Sequence, residues 1–414
     1  MNLTPRLLFS LTAAVSAVGC AGYESAAPET TLGADEITSV QHSSVKRQSI
    51  GNCWAYAFAS WMESTNMRAA GVERNFSESY ISYWHAFEAI TGGLRGTKYQ
   101  TGGSYEKAAD LVSKYGVVDE GTFAPAEGSL EMSAMQKAAE AAINASLASG
   151  ALSVQSARAN RALVRAELNR AFGLSPAVVS KLDSTFGADA SRPLTATAAT
   201  LGIFRTASIP AATTRASTGA VVRTTLAGLI GSGSSWDRSG PNAFQRVDMP
   251  YDGRSRRAFW KRVQKALHHK APAVVEWHVD FNALTTDSKF SLQQLQSRGP
   301  GRAGGHMVVA HDYQARTATG RLFAAGVDVT NPSDFDTLLR NDTKVEFLRV
   351  KNSWGANRPD RWSTSAIGGY HDLYLDYLQA ELTTCEELPN GDPDLSNCDG
   401  TDTGLSAIYL PAGY

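Results

Sequence analysis

Three observations in the 414-residue sequence predict an α+β fold of two lobes, one helical and one β-rich, with a helical insertion. Trp54, Ala57, Phe58, Trp61 and Met62 recur at helical spacing, which opens a helical first half. Beyond residue 245 the pattern changes to short β-branched and aromatic runs such as 273–277 and 307–312, which read as strands. Between the halves lies an Ala-rich stretch with its own helical period, for example Leu163, Ala166, Leu168 and Phe172.

Residues 1–20 read as a targeting segment. Arg6 supplies the positive charge, and 7–18 are apolar or small but too short to span a membrane. The segment ends Ser16-Ala17-Val18-Gly19-Cys20. A small residue followed by Cys resembles a bacterial lipobox, which would place a lipid on Cys20, although Ala17 stands where the consensus has Leu. Ordinary cleavage near Ala21 or Ala26 is the alternative, and either implies export. Residues 21–44 are Ala, Ser, Thr, Glu and Gly without hydrophobic period, and read as a tether.

Residues 45–128 form the helical lobe. Gly51 and Asn52 are turn and cap residues immediately before its first helix, so Cys53 sits at a helix N-terminus. The partial positive charge there favours thiolate over thiol. A thiolate is the nucleophile of cysteine catalysis. Taken alone, this stretch also fits a buried structural cysteine.

Residues 129–240 are the insertion. The stretches 130–147 and 154–172 suggest a helical hairpin, and 188–240, rich in Ala, Thr, Ser and Gly, suggests a long surface loop. Such an insert could cover a cleft or bind a partner, but surface decoration is the simplest expectation. Residues 241–380 form the β-rich lobe, with strands expected at 273–277, 307–312, 321–327 and 347–350. In the tail, 381–414, Cys385 and Cys398 flank a short polar loop. In an exported chain they suggest a disulfide, worth about 3 kcal/mol through loop closure, which leaves Cys53 as the free thiol. The loop's acidic residues do not follow the spacing of an EF-hand.

Two stretches supply partners for Cys53. In Gly304-Gly305-His306-Met307-Val308-Val309, glycines enter a buried strand with His306 at its entrance. In Lys351-Asn352-Ser353-Trp354-Gly355, a strand ends and the chain turns at Asn352. A histidine can take the thiol proton, and an amide oxygen can orient its ring. His311 and His371 lack the Gly-Gly context and read as structural histidines.

Together, Gln48-x-x-Gly51-x-Cys53-Trp54, Gly305-His306-x-Val308-Val309 and Lys351-Asn352-Ser353-Trp354-Gly355 resemble the papain family of cysteine peptidases, in the family's Cys, His, Asn order. Thr101-Gly102-Gly103-Ser104-Tyr105 and the helix after it are most similar to the bleomycin hydrolase branch. The resemblance spans roughly 45–125 and 245–380. The Cys-to-His spacing exceeds the family's about 130–150 residues by roughly the length of the insertion.

The resemblance implies a peptidase acting on peptide or protein substrates without a metal or organic cofactor. Cys53 would be the nucleophile, His306 the acid and base, and Asn352 the group orienting the imidazole. Trp354 would shield that pair from water. Gln48 would stabilise the oxyanion, although it lies one residue later than the family's glutamine. Gly102 and Gly103 would line the substrate cleft, and Gly305 would give the second subsite a roomy wall. A Cys53–His306 ion pair would hold the thiol well below its ordinary pKa. The short stretch before Cys53 leaves no room for a folded propeptide.

Two alternatives are a bleomycin-hydrolase-like aminopeptidase and a non-catalytic surface module. The latter would be expected to lack Cys, His or Asn, and all three are present. A net charge of −1 gives no hint of nucleic acid. Any membrane association is expected only through the N-terminal lipid. No His-x-x-x-His or Cys-x-x-Cys spacing suggests zinc. Oligomeric state is not legible.

Overall fold

The structure, a computed structural model, describes residues 38–124, 127, 132–233, 238–356 and 368–414. The targeting segment, Cys20 and most of the expected tether lie outside these residues.

The helical lobe begins with α1 (Cys53–Ala70), α2 (Glu78–Thr91) and α3 (Tyr105–Tyr115). Ser77 and Ser104 cap α2 and α3 by accepting from the amides three residues on. α1 is buried on every side from Trp54 to Asn66, as a helix at the centre of a large protein must be. Its alanines let neighbours approach closely, while Phe58 and Trp61 pack against Tyr105.

The insertion contributes α4 (Met132–Ser149), α5 (Gln155–Ala159), α6 (Arg161–Ala171) and α7 (Pro176–Phe186). It also contributes the hairpin β1 (Pro210–Thr214) and β2 (Val221–Thr225), and α8 (Leu226–Ile230). The expected second helix of a hairpin is broken at Asn160, which caps α6 instead. The insert is more than surface decoration, and part of the stretch expected to be a surface loop is packed into the core. Ile143, Leu147, Val164 and Leu168 share one core with α1–α3, as do Ile209, Ala211, Leu226 and Leu229. Val117 and Phe204 exchange backbone hydrogen bonds at 2.9 Å, and Asn66 on α1 donates to the Pro210 carbonyl at 2.6 Å. The small residues of β1 hid this, because Ala and Thr give little hydrophobic period although they pack readily against a helix.

The second lobe runs β3 (Phe244–Asp248), α9 (Gly253–His268), β4 (Ala273–Asp280), β5 (Lys289–Phe290) and β6 (Ala303–Arg316). It continues through β7 (Leu322–Phe323), β8 (Lys344–Lys351), β9 (Tyr370–Tyr374), β10 (Glu381–Thr384), β11 (Gly400–Thr403) and β12 (Leu405–Pro411). The main sheet has the order β3-β12-β4-β6-β8-β9-β5, with β7 beside β6, and all pairs are antiparallel except β5 with β9. The strand expected over 321–327 is only the two residues of β7.

Strand alternation places the lobes. Val274, Met307, Val309 and Tyr409 face the helical core, whereas Val275, Val308, Ala310 and Ile408 face the core beneath α9. The β6 strand therefore runs between the two cores with α1 against one face.

Residues 38–44, expected to be tether, are instead packed. Thr38, Val40 and Ser43 are buried, and the Val40 amide donates to the His311 carbonyl at 3.2 Å. Cys385 and Cys398 are disulfide-bonded, and Cys53 is the free cysteine among the described residues. No helix among the described residues is long and apolar enough to cross a membrane.

Candidate active site

Cys53 is the first residue of α1 and is half-buried. Asn52, the cap residue, makes no side-chain bond to its own helix. The backbone amides of Met307, Trp54 and Cys53 itself favour the thiolate electrostatically. Met307 directly follows His306, so the nucleophile candidate sits against the strand that carries the histidine.

His306 is buried at the start of β6, opposite Trp277 of β4. Its Nε2 lies 2.9 Å from Asn352 Oδ1. The Ser353 amide, which can only donate, also reaches that oxygen at 2.8 Å. The amide orientation is thereby set, and His306 Nε2 must be the protonated nitrogen. The Nδ1 lone pair of the neutral ring remains as the base. The Trp354 ring stacks on His306, with centroids 4.9 Å apart and planes at 24°. Trp354 is itself buried against Phe281 and Phe290. The His306–Asn352 bond thus lies in a low-dielectric setting that strengthens it.

The other face of Asn352 meets His371, which the sequence marks as merely structural. Asn352 Nδ2 lies 3.4 Å from His371 Nδ1 on β9. His371 is buried edge-on to Trp354, with ring centroids 5.2 Å apart. It is a buried, hydrogen-bonded histidine, and its partner is the residue that holds His306. No local signal could have found it, because the contact exists only through the β8–β9 pairing. His311 is fully buried, and neither ring nitrogen has a hydrogen-bond partner among the described residues. Burial pushes its pKa far down, so it is neutral.

Burial also pushes the Cys53 thiol up, to about 11, against the pull of the surrounding backbone N–H groups, and Glu276 adds to the rise. This corrects the expectation of a depressed thiol. The helix terminus favours the anion, but removal from water outweighs it. Glu276 shares the helical face of the sheet with Tyr409. Its carboxylate is held by Arg246 and by the Tyr409 hydroxyl at 3.0 Å.

Gln48 lies close by, but its side chain is engaged locally. Nε2 donates to the Ile50 carbonyl at 3.0 Å, and Oε1 accepts from Ser353. Its backbone amide donates to the Ser353 carbonyl at 2.7 Å, which fixes the segment before Cys53 to the loop after Asn352. Gly102 and Gly103 are exposed beside the start of α1, and Trp54 Nε1 donates to Thr101 O at 2.8 Å. A Cβ at Gly103 would come within 2.5 Å of the Trp54 indole, so only glycine fits. Gly305 is exposed, and a Cβ there would meet nothing. Among the described residues no group of three or more His, Cys, Asp or Glu could hold a metal ion.

No family model matches the chain. No curated protein matches it in sequence. Among solved structures it is similar to xylellain, a cysteine protease from Xylella fastidiosa. That match has 12% identity and a TM-score of 0.34, and covers 95% of this chain and 96% of the other. The bromelain protease from Ananas comosus in complex with the E64 inhibitor gives 15%, 0.32, and 89% and 93%. Pepw from Lactobacillus rhamnosis gives 11%, 0.42, and 91% and 82%. At TM-scores this low the similarity assigns this chain neither an activity nor a residue role.

Proposed function

We propose that this chain is a papain-like cysteine peptidase that hydrolyses peptide bonds through a thioester. One observation carries the reading. Asn352 holds His306 by Nε2 and leaves Nδ1 as a base, on the strand that packs against the helix headed by Cys53.

With the thiol protonated at rest, His306 acts first as a general base. Nδ1 takes the thiol proton as sulfur attacks the scissile carbonyl. The imidazolium, steadied by Asn352, then gives that proton to the leaving amine. In the second half His306 takes a proton from water, which attacks the thioester; the C–S bond breaks, the acid leaves, and the imidazolium returns its proton to the Cys53 sulfur. The Cys53 backbone N–H would stabilise both oxyanions. Gln48 would add a donor by letting go of the Ile50 carbonyl. Removing one such donor typically costs about 2.7–4 kcal/mol. The exposed edge at Gly102 and Gly103 suits an extended peptide pairing as an added strand, and Gly305 leaves the neighbouring wall open to a bulky substrate side chain.

The test is labelling by a thiol-directed epoxide together with peptide hydrolysis. Wild type should be labelled at Cys53 and inactivated. Cys53→Ala should be folded, unlabelled and inactive. Full hydrolysis by Cys53→Ala would overturn the assignment.

A further inference from the structure

Gln136, on α4 of the insertion, is buried beside the first turn of α1. Its Oε1 accepts from Asn52 Nδ2 at 3.1 Å and from the Tyr56 hydroxyl at 3.0 Å. Its Nε2 donates to Ser79 Oγ on α2 at 2.9 Å. Asn52 Nδ2 also donates to Ser82 Oγ at 3.0 Å. The same hydroxyl lies 3.2 Å from the Arg47 carbonyl, which competes with Gln136 for its one proton. One glutamine thus joins the residue before Cys53, the residue three after it, and the neighbouring helix.

An asparagine at a helix N-cap ordinarily accepts from the amides of the first turn. Asn52 does not do so. Its side chain is turned inward to Gln136 and Ser82 and leaves the first-turn amides beside Cys53 uncapped. We infer that Gln136 is a positioning residue for the nucleophile: the insertion completes the turn that presents Cys53, acting through Asn52. This rests on the peptidase reading above. It gives the insertion a role in the reaction that its place in the sequence, far from all three motifs, does not suggest.

The experiment is a double-mutant cycle on the full chain. Gln136→Met keeps volume and removes both hydrogen-bonding groups, and Asn52→Ala removes the link from the other side. Each single variant should lower kcat, by up to on the order of 100-fold for an ångström-scale displacement, at near-constant KM. Each should also slow alkylation of Cys53 by iodoacetamide, a readout independent of peptide hydrolysis. The double variant should be no worse than the poorer single one. Ile143→Ala, buried in the same helix, controls for general damage and should lower the melting temperature while leaving kcat unchanged. If Gln136→Met does not fold, Asn52→Ala carries the test. Wild-type kcat and alkylation in a folded Gln136→Met, fully additive losses, or wild-type behaviour of Asn52→Ala would overturn the inference. Any of these would leave the peptidase reading intact, because that reading fails only if Cys53→Ala is active.

Discussion

Replacing Lys46 by Met should destabilise the protein strongly, and more so at high pH. Lys46 Nζ lies 2.7 Å from Glu78, 3.0 Å from Glu63 and 3.7 Å from Glu120, with its side chain 8% exposed. It also donates to the Phe76 carbonyl at 3.0 Å. Burial opposes its charge, but Glu63, Glu78 and Glu120 together hold its pKa well above the ordinary lysine value. Burial outweighs Lys46 at the carboxyls, pushing Glu78 up to about 8 and Glu120 up to about 7. Removing one partner of a buried pair typically costs about 3–5 kcal/mol, a large part of a total stability of about 5–15 kcal/mol.

The sign of the pH dependence follows from the raised carboxyl values. A carboxyl with a raised folded pKa binds its proton more tightly in the native state. Its contribution to stability therefore falls as pH rises from the unfolded value of 4.5 to the folded value near 8. Without Lys46 those carboxyls must hold their protons to higher pH still, and a tenfold tighter hold on the proton corresponds to about 1.4 kcal/mol per group. Urea unfolding followed by circular dichroism should give a loss of about 3 kcal/mol near pH 5.5, growing toward about 5 kcal/mol near pH 8.5. A loss under about 1 kcal/mol at both pH values, or one that shrinks as pH rises, would refute the reasoning. The cluster matters to the site because the same segment is pinned to the Asn352 loop. The Gly355 amide donates to the Lys46 carbonyl at 3.0 Å, and Lys351 donates to Ser43 at 2.7 Å.

Two further outcomes are expected. With its thiol pushed up to about 11, Cys53 should be alkylated in the free protein at a rate that climbs steadily from neutral pH to pH 10. A plateau from mildly acid to neutral pH would instead reveal a resting thiolate–imidazolium pair. His371→Phe keeps a ring but removes the acceptor facing Asn352. It should lower kcat about fivefold, the weight of a ~1 kcal/mol hydrogen bond, with KM unchanged. An unaltered kcat would show that His306 and the Ser353 amide fix the Asn352 amide without His371.

The sequence by itself carried the two-lobe α+β plan and the helix starting at Cys53, because both rest on local periodicity and on a turn residue followed by a cap. It also carried the three stretches bearing Cys53, His306 and Asn352. Each occupies a place where the chain changes state: a helix start, a strand entrance, a strand end. The Cys385–Cys398 loop was legible from its short span. The tertiary structure alone decided which other groups reach these three. Gln136 is separated from Asn52 by 84 positions, and His371 from Asn352 by 19 across a sheet pairing. A single glutamine in an Ala-rich helix, or a histidine without glycine neighbours, has no local pattern to announce such contacts. Burial of Ala211 and Ala212 was hidden for the same reason, since small residues become core only when a helix such as α1 is laid against them. The thiol's raised pKa was likewise invisible. A helix terminus is a local feature that can be read along the chain, whereas desolvation is set by everything that packs around the sulfur.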